Sequence, residues 1–245
     1  MASWDTAQAP FADRQDAGRQ LAERLRPLAA GEQPVVVALP RGGVPVAAEI
    51  ASALAAQLEF LAVRKLGAPH NPEYGIGAIA EGGTRVFDHE ALAVLGIDNR
   101  TLESIVLRET SELHRRVGAY RGDRPTCRLC DRLVIVVDDG VATGVTDTAA
   151  LRDIRALRPR HLVLAVPVCP PDSAARLRAE ADEVVCLLEP ALLYGVGQWY
   201  RDFDQVSDDE VIATLFAEAD GRPGERGKAA ASRRVPAVES DPGRP

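Results

Sequence analysis

The stretch that most constrains this chain is Val134-Ile135-Val136-Val137-Asp138-Asp139-Gly140-Val141-Ala142-Thr143-Gly144-Val145-Thr146. Leu133 to Val137 is an unbroken apolar, mostly β-branched run and reads as a strand; it stops abruptly at two carboxylates, Asp138 and Asp139. A loop of glycines and hydroxyls follows, and helical spacing begins at about Val145 and runs to Leu157. Strand, acidic turn and helix in this order gather polar groups beyond the carboxyl end of a strand, which is where ligands bind in α/β sheets.

The same alternation runs along most of the chain. Phe11 to Leu28 has helical spacing, with Ala17, Leu21, Leu25 and Leu28 on one face, and Gly31 and Pro34 end it. Val35 to Leu39 reads as a strand buried on both faces, Pro40-Arg41-Gly42-Gly43 breaks it, and helical spacing resumes from Val44 to Leu58. A short strand is expected over Phe60 to Val63, then a loop from Leu66 to Gly75, then a small hairpin of Gly77 to Ala80 with Thr84 to Phe87. Asp98 to Tyr120 predicts a long helix that packs on one side. Leu162 to Val168 and Glu183 to Leu188 are further strands around a helix from Asp172 to Glu180, and Ser207 with Glu210 forms a capping box for a last helix. The expected fold class is therefore α/β, a mainly parallel sheet with helices on both faces.

Composition narrows the function. A chain of 245 residues, 46% of them hydrophobic, can bury a sizeable core, and a formal net charge of -7 argues against a nucleic-acid scaffold. No apolar run approaches the roughly 18 residues of a spanning helix, and Met1 to Pro10 lacks a signal-peptide pattern, so the expected location is cytoplasmic, with no membrane partner. Cys127 and Cys130 form a C-x-x-C without a second ligand pair, as in an incidental loop pair rather than a zinc site. From Gly221 onward Gly, Pro, Arg, Ser and Ala dominate without periodicity; residues 1–219 are expected to fold and 220–245 to form a disordered tail.

The long string also has a chemical logic. Backbone N–H groups of a loop entering a helix attract a phosphate, Thr143 and Thr146 add hydroxyl donors, and paired Asp carboxylates accept hydrogen bonds from vicinal ribose hydroxyls. Taken alone, Asp138-Asp139-Gly140 reads equally as a turn after a core strand. As a whole the string resembles the phosphoribosyl-pyrophosphate signature of the type I phosphoribosyltransferases: four apolar residues, two acids, then a loop ending T-G-x-T. The other segments that share the resemblance extend it over roughly Phe11 to Leu215. Leu39-Pro40-Arg41-Gly42-Gly43 is similar to the family's pyrophosphate loop, Val63-Arg64-Lys65-Leu66-Gly67 to the strand that enters its flexible lid, and Asn71 to Ala78 to the lid itself. The whole most resembles a little-characterised bacterial branch that shares the R-G-G, R-K-L-G and D-D-G-x-A-T-G strings.

The resemblance implies a type I fold with a small hood and a flexible lid, and a donor site of Arg41, Gly42, Gly43, Lys65, Asp138, Asp139, Gly140, Val141, Ala142, Thr143, Gly144, Val145 and Thr146. Mg²⁺ is the implied cofactor, held by Asp138 and Asp139 through water. Arg41 and Lys65, with Arg64 as the alternative to Lys65, are expected at the pyrophosphate, and Glu73 or Glu81 as the base. The base is sought there because Ala142 stands where hypoxanthine enzymes of the family carry an Asp, and Gly140, in place of the usual apolar residue, is expected to loosen the loop. Trp199 and Tyr200 lie in a stretch similar to the purine hood, so they are expected either to stack on a planar acceptor or to plug the core. The implied activity is transfer of phosphoribosyl from 5-phosphoribosyl 1-pyrophosphate to a nitrogen acceptor, a nucleobase with purine favoured, by a chain that admits a homodimer. The rival is a regulator that binds the same donor without transfer. No G-x-G-x-x-G follows the first strand, which excludes a generic dinucleotide domain.

Overall fold

The computed structural model describes residues 9–69, 71–122, 124 and 126–219. In chain order the elements are α1 (Arg14–Ala29), β1 (Val35–Ala38), α2 (Gly43–Leu54), β2 (Gln57–Phe60), β3 (Val63–Ala68), β4 (Asn71–Ala80), β5 (Arg85–Phe87) and α3 (His89–Val94). They continue with α4 (Asn99–Arg121), β6 (Leu133–Val137), α5 (Val145–Ala156), β7 (His161–Val168), α6 (Pro171–Leu177), β8 (Glu183–Leu188), a 3₁₀ turn (Val196–Trp199) and α7 (Asp208–Ala219).

Five strands form a sheet in the order β2-β1-β6-β7-β8, parallel throughout, as the apolar runs require. Side chains alternate across it. Val36, Ala38, Ile135 and Val137 join a core with Leu21 and Leu25 of α1, Ile50 of α2, Val106 of α4 and Val211 of α7. Val35, Val37, Val134 and Val136 join a second core with Ala150 and Ile154 of α5 and Leu177 of α6. Both faces are thus covered by helices, and the strand order reverses between β1 and β6. At such a switch point the loops leaving the two strands part to opposite sides and leave a crevice between them.

Several boundaries move from their expected places. The helix expected to reach Leu58 ends at Leu54, with Ala55 left-handed at φ 49° and its N–H bonded back to the last turn, so Leu58 belongs to β2 and the strand expected at Phe60 to Val63 starts earlier. The loop expected from Leu66 to Gly75, and the lid over Asn71 to Ala78, instead form the antiparallel ladder of β3 with β4. Glycine makes the adjoining approach of β5 to β4 sterically feasible: a Cβ on Gly77 would lie 2.4 Å from the Val86 carbonyl oxygen of β5. The expected hairpin of β4 with β5 is present in register Gly77 to Phe87, Ala78 to Val86 and Ile79 to Arg85. The expected tail lies outside the described residues.

Local sequence chemistry sets most helix starts. Asp13 and Asp98 accept N-cap hydrogen bonds from Asp16 and Thr101, and Ser207 and Glu210 bond each other reciprocally as a capping box. Among the described residues no helix is long and apolar enough to cross a membrane.

The hairpin is fixed to α5 by one buried carboxylate. Asp153 accepts hydrogen bonds from Gly82 N (3.0 Å) and Thr84 N (3.3 Å) in the β4–β5 turn, while Ala78 and Ala80 pack into the α5 core. Asp153→Ala is expected to lower unfolding free energy by about 1 to 3 kcal/mol, the cost of stranding such partners. Urea denaturation measures it, and a change below about 0.5 kcal/mol would show that packing alone holds the turn.

Candidate functional site

The site is built where β1 and β6 end side by side. Leu39 N donates to the Val137 carbonyl at 2.9 Å, which carries the pairing one residue past the strands and brings the Arg41-Gly42-Gly43 turn against Asp138 and Asp139. Only glycine fits there. A Cβ on Gly42 would stand 1.9 Å from Asp139 Oδ2, and one on Gly43 would stand 2.5 Å from the Val137 carbonyl oxygen. The Pro40–Arg41 peptide is cis.

Asp139 is held from three directions. Arg14 Nε donates to Asp139 Oδ2 at 2.7 Å, and both side chains are largely buried. The same guanidinium donates from Nη1 to the Asp204 carbonyl at 2.8 Å and lies 3.8 Å from the centroid of the Phe203 ring. The Tyr200 hydroxyl donates to the Asp139 carbonyl. The Asp139 amide in turn donates to Asp138 Oδ1 at 2.8 Å.

Beyond the dyad, β7 braces the loop through a loop amide and α6 through two loop carbonyls. Val141 N donates to the Val168 carbonyl at 2.8 Å, Ser173 Oγ to the Ala142 carbonyl at 2.7 Å, and Arg176 Nη2 to the Thr143 carbonyl at 3.2 Å. Gly140 does not loosen this loop, contrary to expectation. It has φ +154°, and a Cβ would meet Val196 Cγ1 at 2.5 Å and Val168 Cγ1 at 2.9 Å, so a larger residue cannot take its place without moving both neighbours. Gly144 caps α5 in a left-handed conformation, with φ +75°. Thr143 is exposed, and Thr146 Oγ1 lies 3.4 Å from Asp147 Oδ2.

The cluster is short of positive charge. Burial pushes the Asp138 carboxyl well up, and Asp139 and Asp147 push it further; burial also raises Asp139, against the pull of Arg14. Asp147, in the first turn of α5, is 2% exposed, its Oδ1 is buried without a hydrogen bond, and burial moves its carboxyl up to about 6. A cation, or hydroxyl donors of a ligand, would relieve this crowding. Among the described residues no group of three or more His, Cys, Asp or Glu is arranged to hold a metal ion directly.

The remaining expected residues divide. Arg41 is partly exposed at the crevice, its Nη1 3.7 Å from Asp208 Oδ1. Lys65 is exposed on β3, and its stem runs over Gly75. Arg64 is committed elsewhere, with Nη2 donating to Glu109 at 2.6 Å, and Glu81 accepts from Arg121 at 3.0 Å, so neither is disposed for the role considered for it. Glu73 lies on β4, and its side chain is outside the described residues. Tyr200 needs correction: its ring is 1% exposed, stacked on Phe203 and tilted against Phe11, and offers no face to an acceptor. Trp199 is only partly buried beside that cluster.

Arg14, Asp147, Ser173 and Arg176 were not foreseen. Arg14 and Asp147 did leave a signal: Arg14 shares the stripe of Ala17, Leu21 and Leu25, and Asp147 that of Ala150, Leu151 and Ile154. A charge on the buried face of a helix asks for a partner. Ser173 and Arg176 left none, because they contact carbonyls distant in sequence.

Two stability effects follow. Arg14→Ala strands a buried carboxylate and is expected to cost about 3 to 5 kcal/mol in chemical denaturation; a loss under about 1 kcal/mol would mean the pair is solvated. For Asp147, a folded value near 6 lies above the unfolded one, so the folded state holds a proton the unfolded state releases, and stability falls as pH rises through this window. Asp147→Asn is therefore expected to unfold at higher temperature than the wild type at about pH 7.5, by the equivalent of about 2 to 3 kcal/mol, with the advantage gone near pH 4. An equal advantage at both would mean the charge is not the cause.

Comparison with known proteins agrees with the fold and the loops. The model of the phosphoribosyl transferase domain matches residues 12–196. Proteins of Mycobacterium tuberculosis strains CDC 1551 and H37Rv, both provisionally named phosphoribosyl transferases, are 48% identical over 215 residues. That alignment covers 85% of this chain and 48% of theirs, so the chain spans about half the length of the curated relatives it matches. The crystal structure of TT1426 from Thermus thermophilus superposes with a TM-score of 0.70 at 46% identity, covering 84% of this chain and 97% of that one. With a matching domain model over most of its length, the two loops of the signature meeting at one switch point, and a relative of known structure aligned almost end to end, this chain belongs to the type I phosphoribosyltransferase family.

Proposed function

We propose that the protein transfers the phosphoribosyl group of 5-phosphoribosyl 1-pyrophosphate to a nitrogen of a nucleobase, purine favoured, and releases pyrophosphate. The observation that carries this reading is the contact of the Arg41-Gly42-Gly43 turn with the Asp138–Asp139 pair, so close that no side chain fits between them. A donor phosphorylated at both ends of one sugar needs such an arrangement. An anion-binding loop at the α5 N-terminus takes the 5-phosphate, carboxylates accept the ribose hydroxyls, and a basic turn takes the pyrophosphate.

In the transfer, a nitrogen lone pair forms the new bond to the anomeric carbon as its bond to pyrophosphate oxygen breaks, with inversion, and the bonding pair leaves with pyrophosphate. Arg41 meets the charge that builds on the leaving group, with Lys65 as the second cation. Asp138 and Asp139 fix the ribose; Asp139 is oriented by Arg14 and keeps a second oxygen for a hydroxyl. Glu73 is the candidate to take the proton from the nitrogen, and Trp199 is the aromatic that remains for the acceptor. Asp138 and Asp139 would hold Mg²⁺ through water, and the ion would supply charge neutralisation at the pyrophosphate. A cytoplasmic setting and a homodimer belong to the same reading.

The experiment is to incubate the protein with donor, Mg²⁺ and a panel of nucleobases and to measure both pyrophosphate release and nucleotide formation. Turnover with one base identifies the acceptor; donor binding without turnover on any base would favour the regulator. Asp138→Asn and Asp139→Asn are each expected to weaken donor binding about ten- to a hundredfold, the loss of a charge-assisted hydrogen bond. Affinities within twofold of the wild type in both variants, with the fold intact, would remove the dyad from the donor site.

A further inference from the structure

Arg41 is already paired. Its guanidinium stands 3.7 Å from Asp208 Oδ1 at the first residue of α7, and the same Oδ1 accepts the hydroxyl of Tyr120 from α4. Tyr120 is 1% exposed and packs edge-on against Phe60 at 5.8 Å, so its hydroxyl is a fixed anchor rather than a mobile partner. The start of α7 is fixed as well. Val211 and Leu215 are buried in the core, Ser207 and Glu210 close the capping box, and the preceding segment is tied to the dyad through Asp204 and Tyr200. The carboxylate therefore sits at a set place beside the crevice, 41% exposed, next to a cation that is 27% exposed.

The pair is also loose. At 3.7 Å it is an ion pair without hydrogen-bond distance, whereas Arg14 and Asp139 in the same site meet at 2.7 Å. A phosphate oxygen pair facing the guanidinium would make two charge-assisted hydrogen bonds and displace a partner held only by Coulomb attraction.

We infer that Asp208 is the resting counter-ion of Arg41, exchanged for pyrophosphate when ligand binds and restored when it leaves. The inference rests on the reading of Arg41 as the pyrophosphate cation and deepens it. Asp208 is a positioning residue: it acts through Arg41. Its charge competes for the guanidinium and repels the incoming anion, and both effects weaken pyrophosphate binding. Such a counter-ion favours release of a product that would otherwise hold the site, and Tyr120 keeps it from swinging away when Arg41 turns to the ligand.

The test is isothermal titration of inorganic pyrophosphate with Mg²⁺ into the wild type, Asp208→Asn, Arg41→Ala and the double variant, with Asp208→Ser as a second replacement. Asn keeps an acceptor for Tyr120 and a helix-starting residue at an exposed position, so the fold is expected to persist. The expected result is pyrophosphate binding about three- to tenfold tighter in Asp208→Asn, weaker in Arg41→Ala, and a gain from Asp208→Asn of under twofold once Arg41 is absent. The donor's KM is expected to fall with pyrophosphate's Kd, while thermal stability stays near the wild type, a split that a merely structural role would not produce. Unchanged or weaker binding in Asp208→Asn and Asp208→Ser, with Arg41→Ala still impaired, overturns the inference and leaves the Arg41 reading standing. Full affinity in Arg41→Ala removes both.

Discussion

The buried ion pair of Arg14 with Asp139 is the interaction on which the rest of the site depends. It joins three parts of the chain that are far apart in sequence: the start of α1, the turn after β6, and the segment after the last strand that supplies the Asp204 carbonyl and the Phe203 ring. Removing a guanidinium from water is costly, and here the cost is offset by a carboxylate, a carbonyl and an aromatic face together. Those requirements also fix where the C-terminal segment must run, and hence where α7 begins.

Charge is the second organising constraint. Burial raises the proton affinity of Asp138, Asp139 and Asp147, the charge of Asp139 adds to it at the other two, and Arg14 is the cation bound to the dyad. Such a cluster suits something that brings positive charge or hydroxyl donors. The basic turn opposite adds Arg41, which the structure keeps near a displaceable acid. Surplus acid in the floor and one reserved cation at the rim are two sides of the same arrangement.

The glycines turn these electrostatics into geometry. Gly42 and Gly43 let two loops approach until carboxylate oxygens occupy the space of a side chain, and Gly140 lets the loop pass under Val196 and Val168. The hairpin of β3, β4 and β5 then rests on α5 through Asp153, so the helix whose N-terminus faces the proposed phosphate also carries the strand bearing Lys65.

Much of this was legible in order along the chain. Unbroken, mostly β-branched apolar runs read as central parallel strands, capping residues mark helix starts, and the Val134 to Thr146 string carries strand, acids, loop and helix start within thirteen residues, so the five-stranded sheet, most of its helices and the two loops follow from sequence. The β3–β4 hairpin was less legible, because Gly-, Pro- and Asn-rich segments read as loops until a neighbouring strand supplies hydrogen bonds. Whether an aromatic is a hood or a plug was not legible at all: Trp199 and Tyr200 are adjacent, and only the packing of Phe11 and Phe203 buries Tyr200 fully and Trp199 in part. Sequence by itself determined most of the elements, the family and the acids at the strand end, since those depend on local pattern and spacing. Tertiary structure alone decided which charges are paired, Arg14 with Asp139, Arg64 with Glu109 and Arg41 beside Asp208, because an ion pair depends on distance in space, and no local pattern records which residues the fold will bring within it.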